Sequence, residues 1–188
     1  MSKKVFLKGT LILACTGLVS RIAGFFYRIF LSHAIGAEGL GLYQLILPLQ
    51  GLMAALSYTG IQSALSRLIA SRLALQEKKE AYFSLVTGIF AAVFFSAVTG
   101  FLLFRHADFF ASTILKAPGT SDLLRLTAAS IPLCAIHSCI DSYYYARKKA
   151  SVPAAVQLSE QTVRIGATYI LYLIFLSAVP SQEKLPLL

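Results

Sequence analysis

The sequence predicts an all-α integral membrane protein with five transmembrane helices, and three observations carry that reading. Apolar residues make up 57% of the 188 positions and charged residues only 13%, about half the charge of an ordinary soluble domain. The mean hydropathy is +0.72. The apolar residues fall into stretches near the roughly 20 residues that a helix needs to cross a bilayer, separated by short polar or charged connections. These features exclude a disordered chain, a coiled coil, a collagen and a disulfide-stapled secreted module.

The first span is expected from about residue 9 to 33. Lys3, Lys4 and then Leu13-Ala14-Cys15 have the outline of a lipoprotein signal, but Lys8 interrupts the run and the apolar helix continues well past Cys15, so a retained span is expected. Ile35-Gly36-Ala37-Glu38-Gly39 is a turn. The second span, residues 40–70, carries Pro48, which removes a backbone donor and kinks a helix. Gln76-Glu77-Lys78-Lys79-Glu80 is a charged loop, and residues 82–104 are the third span. Ala117-Pro118-Gly119 breaks the chain, and Thr120-Ser121-Asp122 offers caps to a fourth span at residues 123–145. Arg147-Lys148-Lys149 closes it, and the fifth span covers residues 152–178. Residues 1–178 thus form one helical bundle, and residues 179–188 a short extracytoplasmic tail.

The net charge of +9 comes from 17 Lys and Arg against 8 Asp and Glu. Nine cations fall on one side of the predicted spans: Lys3, Lys4, Lys8, Arg72, Lys78, Lys79, Arg147, Lys148 and Lys149. Three fall on the other: Arg105, Lys116 and Lys184. The bias predicts a cytoplasmic N-terminus and an extracytoplasmic C-terminus in a multi-pass cell-membrane protein. The charge is thereby explained without nucleic acid.

The remaining five cations are Arg21, Arg28, Arg67, Arg125 and Arg164, within spans or near their ends. Arg at the bilayer centre costs about 2.5–3.5 kcal/mol on insertion scales. Gly17, Arg21, Gly24 and Arg28 make one stripe of small and cationic residues, which should face protein or water. The functional reading is a cationic cavity wall. The structural alternative is that Arg28 snorkels and Arg21 pairs with a carboxylate of a neighbouring helix. In the fifth span Gln157, Glu160, Gln161 and Arg164 share a face, and of these Gln157 and Arg164 join Arg21 and Arg28 as the expected substrate-binding residues. Glu160 and Arg164 are spaced for an intrahelical pair; otherwise Glu160 is a proton or cation coupling site, or a gate partner for Arg21.

Other titratable groups have plainer explanations. Cys15, Cys134 and Cys139 show no disulfide framework, and Cys134, His137 and Cys139 read as packing rather than metal ligands. His137 is expected to be a satisfied packing residue. Asp141 precedes Tyr143, Tyr144 and Tyr145, an interfacial aromatic belt. His106 and Asp108 share a solvated loop. No phosphate-cradling loop, metal spacing or nucleophile elbow is present, so neither an enzyme nor a cofactor is expected.

Several segments together resemble a known family. They are Phe6-Leu7-Lys8-Gly9-Thr10-Leu11-Ile12-Leu13, then Ser20-Arg21-Ile22-Ala23-Gly24-Phe25 and Arg28, then Ile35 through Gln44 leading to Pro48. In the fifth span Pro153, Gln157, Glu160-Gln161 and Arg164 follow. The pattern resembles the polysaccharide-biosynthesis branch of the flippase superfamily, which also holds multidrug extruders and lipid II flippases. The resemblance implies two helical lobes around a central cavity that opens alternately to each side. It implies a lipid-linked saccharide bearing pyrophosphate as cargo, for peptidoglycan or other envelope synthesis, including the spore cortex in its sporulation branch. It also implies that Arg21, in its Ser-Arg-x-x-Gly context, lines the cavity, with Arg28 one residue out of the family spacing. Arg suits a pyrophosphate because its fork binds such an anion bidentately. Members have about a dozen or more spans, so this chain is expected to be the N-terminal part of a transporter, with a partner chain supplying missing helices. The alternatives are a cation-coupled drug extruder or a non-transporting scaffold.

Overall fold

A computed structural model describes the backbone of residues 3–178 and the side chains of residues 9–177. The expected tail at 179–188, with Lys184, lies outside the described residues, as do the side chains of Lys3, Lys4 and Lys8. Six α-helices account for most of the rest: α1 (Lys3–Ala54), α2 (Gly60–Ala74), α3 (Lys78–Arg105), the single turn α4 (Ala107–Phe109), α5 (Ser121–Ala146) and α6 (Ser151–Ala178). Wider π turns occupy Ala55–Thr59 and Phe110–Ile114, and no strand occurs among the described residues.

Three helical stretches among the described residues are long and apolar enough to cross a membrane: Gly9–Ala74, Lys78–Arg105 and Pro118–Ala146. The first has 66 residues. A continuous helix of that length would run about 100 Å against a hydrocarbon core about 30 Å thick. It does not run straight. Gly36 has φ 75° and ψ 171°, a conformation essentially confined to glycine. Arg28 and Tyr43, on either side of it, line one cavity, whereas a straight helix would hold them about 22 Å apart. The chain therefore turns back at Gly36. The five-residue turn expected at 35–39 is in fact one non-helical residue between two helical arms. Pro48 lies inside α1, and the hydrogen-bond register widens seven residues further on, at Ala55–Thr59.

The second arm of α1 with α2, α3 and α5 forms a bundle around two buried clusters. One contains Ile46, Leu49, Met53, Leu103, Leu124 and Ile131. The other contains Leu65, Ile69, Ala92, Ala135 and Cys139. Lipid is as apolar as these side chains, so close backbone approach and interhelical hydrogen bonds hold such helices together. A methyl group on Gly100 of α3 would lie 2.8 Å from the carbonyl oxygen of Ala128 of α5. Ser142 Oγ donates to the Gln62 carbonyl at 3.2 Å, and Ser57 Oγ meets Thr99 Oγ1. Large side chains including Phe90, Phe94, Phe101, Leu126 and Phe175 face outward, as membrane helices require.

α6 packs chiefly along the first arm of α1. Tyr27 Oη and Thr168 Oγ1 are 3.2 Å apart, and Phe30 sits against the rings of Tyr169 and Tyr172. Residues 70–74 and 146–148 share one end of the molecule, which brings Arg72 and Arg147 to that end. At the opposite end Arg125 bridges Asp108 at 2.8 Å and Asp122 at 3.0 Å. The caps expected from Thr120-Ser121-Asp122 do not form by side chain. Thr120 Oγ1 donates back to the Ala117 carbonyl, and Asp122 turns to Arg125.

Candidate functional site

A cleft of about 600 Å³ opens between the first arm of α1, the start of its second arm and α6. The first arm contributes Gly17, Ser20, Arg21, Gly24 and Arg28, the second arm Tyr43 and Leu47, and α6 Gln157, Gln161 and Arg164. The α1 stripe works as its spacing predicts. At about 100° per residue, positions 17, 21, 24 and 28 fall within one narrow arc. The glycines keep that arc shallow: a methyl on Gly17 would meet nothing within 4 Å, and one on Gly24 would stand 3.7 Å from Gln161 Nε2.

Four residues singled out in the sequence, Arg21, Arg28, Gln157 and Arg164, thus meet in one place although they lie more than a hundred positions apart. All four are exposed in the cleft. Among the described residues none of the three arginines has a carboxylate partner. The ion pair that would anchor Arg21 in a purely structural role is therefore missing. Arg21 lies about 18 Å of helix from Gly9 and about 22 Å from Gly36. Arg164 lies about 20 Å from either end of α6. Ser20 Oγ is buried there and has no hydrogen-bond partner among the described residues. Three guanidinium groups and three neutral donors (Ser20 and the two glutamines) make a set that accepts an anion with several oxygens.

One of the readings offered for Glu160 fails. The side chain does not line the cleft and does not pair with Arg164. Its Oε1 lies 3.3 Å from His137 Nε2 of α5. On the helical wheel Glu160 sits about 60° to one side of Gln157, while Gln161 and Arg164 lie closer to it. The face shared in the sequence is therefore divided between two neighbours, α1 and α5. His137 is likewise more than a packing residue, since Asp141 Oδ2 stands 3.9 Å from the same nitrogen. Gln161 and Ser20 belong to the cleft although the sequence did not single them out for it. The i, i+4, i+7 spacing of Gln157, Gln161 and Arg164 was the available signal. Cys134, His137 and Cys139 do not converge: among the described residues no three His, Cys, Asp or Glu side chains come together as a metal site requires.

A family model described as polysaccharide biosynthesis protein matches residues 6–182. The chain belongs to the polysaccharide biosynthesis protein family. Among curated members and relatives, stage V sporulation protein B of Bacillus subtilis (strain 168) is 34% identical over 181 residues, covering 94% of this chain and 34% of that protein. Lipid II flippase MurJ of the same organism is 24% identical over 187 residues, covering 93% of this chain and 34% of that protein. The chain spans about a third of the length of each. No solved structure matches it significantly. As a member of this family with apolar helices long enough to span a bilayer, the protein is integral to the membrane.

Proposed function

We propose that this polysaccharide biosynthesis family chain forms one wall of a flippase chamber whose cargo is a lipid-linked saccharide carrying a pyrophosphate. The observation that carries this reading is the convergence of three arginines from two helices on one cleft, with no carboxylate neutralising them among the described residues. Keeping Arg21 and Arg164 at mid-span without a partner costs several kcal/mol by the scales above. A dense anion bound between them offsets that cost. Arg21, Arg28 and Arg164 contact the pyrophosphate, and Gln157 helps to orient it. The two relatives, a stage V sporulation protein and a lipid II flippase, support a precursor of peptidoglycan or spore cortex as the cargo.

In this reading the chain crosses the bilayer five times over residues 9–33, 40–70, 82–104, 123–145 and 152–178. The basic end with Arg72 and Arg147 is cytoplasmic, and the C-terminus extracytoplasmic. The open side of the cleft faces the helices that complete the chamber, from the same protein or a partner chain. The activity is transport, with no chemical step.

Thiol protection in lipid nanodiscs tests the proposal. In a cysteine-free background, Gly17→Cys and Gly24→Cys are expected to react with a charged, membrane-impermeant thiol reagent. A short-chain prenyl pyrophosphate should slow the reaction, and prenyl alcohol should not. Thiols that stay unreactive describe a dry, packed groove, and equal protection by the alcohol describes an apolar site; either outcome removes the anion chamber.

A further inference from the structure

We propose that His137, Asp141 and Glu160 form a proton-binding latch between α5 and α6, separate from the arginine cleft. His137 and Asp141 are one turn apart on α5, and Glu160 reaches His137 from α6. These side chains make the ionic contact between the two helices among the described residues. Otherwise α6 is held mainly by α1, through Tyr27, Phe30 and their partners. His137 Nε2 is itself buried, although the ring and Glu160 are partly exposed, and it lies within charge contact of Glu160 without being aligned in a hydrogen bond with it. The contact is thus set to change with the charge on the ring.

A proton from water taken up by the imidazole makes the ring cationic and turns the 3.3 Å approach into a charge-assisted pair. With both carboxylates ionised, the trio then carries a net charge of −1. Loss of the proton leaves −2, two carboxylates on either side of a neutral ring, and the attraction between α5 and α6 weakens. The other charged or titratable neighbours are Arg164, one turn along α6 but unpaired with Glu160 and lining the cleft instead, Cys134, within electrostatic reach of Glu160, Tyr145, near Asp141, and Tyr58 of the π turn, near Cys134. Arg164 carries the one fixed positive charge among them, and it makes no ion pair with Glu160, so it does not replace the proton between α5 and α6. The donor set favours a proton over a metal ion, because the three side chains do not converge as ligands. Histidine is also the side chain whose charge changes most readily near neutral pH.

The latch has a consequence for the cleft. Glu160 lies between Gln157 and Gln161 in sequence and one turn before Arg164. A movement of α6 at Glu160 displaces all three cleft residues together. Proton binding at one face of α6 is therefore coupled to the anion groups on another face. This coupling rests on the flippase reading, whereas the latch itself does not.

The test uses the full chain in lipid nanodiscs, with C15S, C134A and C139A, and nitroxide labels at Leu133→Cys on α5 and Val163→Cys on α6, both exposed sites. Double electron–electron resonance reads the α5–α6 distance from about pH 8 to about pH 5, the range in which histidine charges. Nitrogen-15 histidine NMR of the unlabelled chain, with His137 assigned by H137Q, reads the imidazole directly. The expected result is a shorter, narrower distance on acidification. The response should be lost in H137Q and E160Q and weakened in D141N. A His137 that does not charge in this range overturns the proposal. So does a His137 that charges while the distance stays fixed, or a response that survives H137Q or E160Q. None of these readouts requires an anion, so a latch that works in a chain with no pyrophosphate affinity would count against the flippase reading alone.

Discussion

Replacing Arg21 with Ala removes one of three guanidinium groups from the cleft without touching the packing of α1 on α6, which runs through Tyr27, Phe30 and their partners. A hydrogen bond to a charged group contributes about 1.5–3 kcal/mol when its partner is buried or well placed. Affinity for a prenyl pyrophosphate should therefore fall about 10- to 150-fold, since each 1.4 kcal/mol is a factor of ten. Arg21→Lys keeps the charge but loses the planar fork, so its loss should be smaller. Binding in nanodiscs by isothermal titration calorimetry measures both, at two salt concentrations, because a charge-driven site weakens with ionic strength. The stability of R21A should not fall. Were Arg21 locked in an ion pair, its removal would strand a buried carboxylate and destabilise the helix pair. An R21A chain that binds pyrophosphate as well as the parent, or one that unfolds, would refute the account of this residue.

Two further predictions concern the scaffold. Gly36→Ala should destabilise the chain by about 1–3 kcal/mol, read as a lower thermal midpoint in detergent, because φ 75° with ψ 171° is closed to side chains. Asn should not rescue it, since Asn tolerates the left-handed helical region and ψ here lies far outside it. Gly100→Ala should cost about 1–3 kcal/mol, because its methyl would press on the Ala128 backbone and force α3 and α5 apart. Gly166→Ala, which meets nothing within 4 Å inside α6, is the control and should hold or slightly raise the midpoint, because Ala favours a helix interior over Gly.

The extent of the helices was legible because it depends on local chemistry. The charged loop at residues 76–80 and the Pro118-Gly119 break separate apolar runs, and the structure interrupts its helices at both places, between α2 and α3 and before α5. The Gly17-Arg21-Gly24-Arg28 stripe was legible for the same reason: one helix fixes the directions of its own side chains. The Thr120 hydroxyl was less so, because a carbonyl three residues back competed with the helix N–H groups. Glu160 could not be placed from sequence at all. On its own helix it sits at the edge of the Gln157–Arg164 face, and Arg164 is as near in spacing as any partner. Which neighbour claims it depends on where α5 stands.

Sequence alone therefore determined a membrane-embedded helical protein, its family and a stripe of arginines and glycines on one face of an apolar helix, since hydropathy and spacing are properties of each segment. Only the tertiary structure decided that Arg21, Arg28 and Arg164 share a cleft and that Glu160 turns away from it toward His137. The packing of α6 between two different neighbours fixes both outcomes, and no periodicity within a helix encodes how that helix is shared.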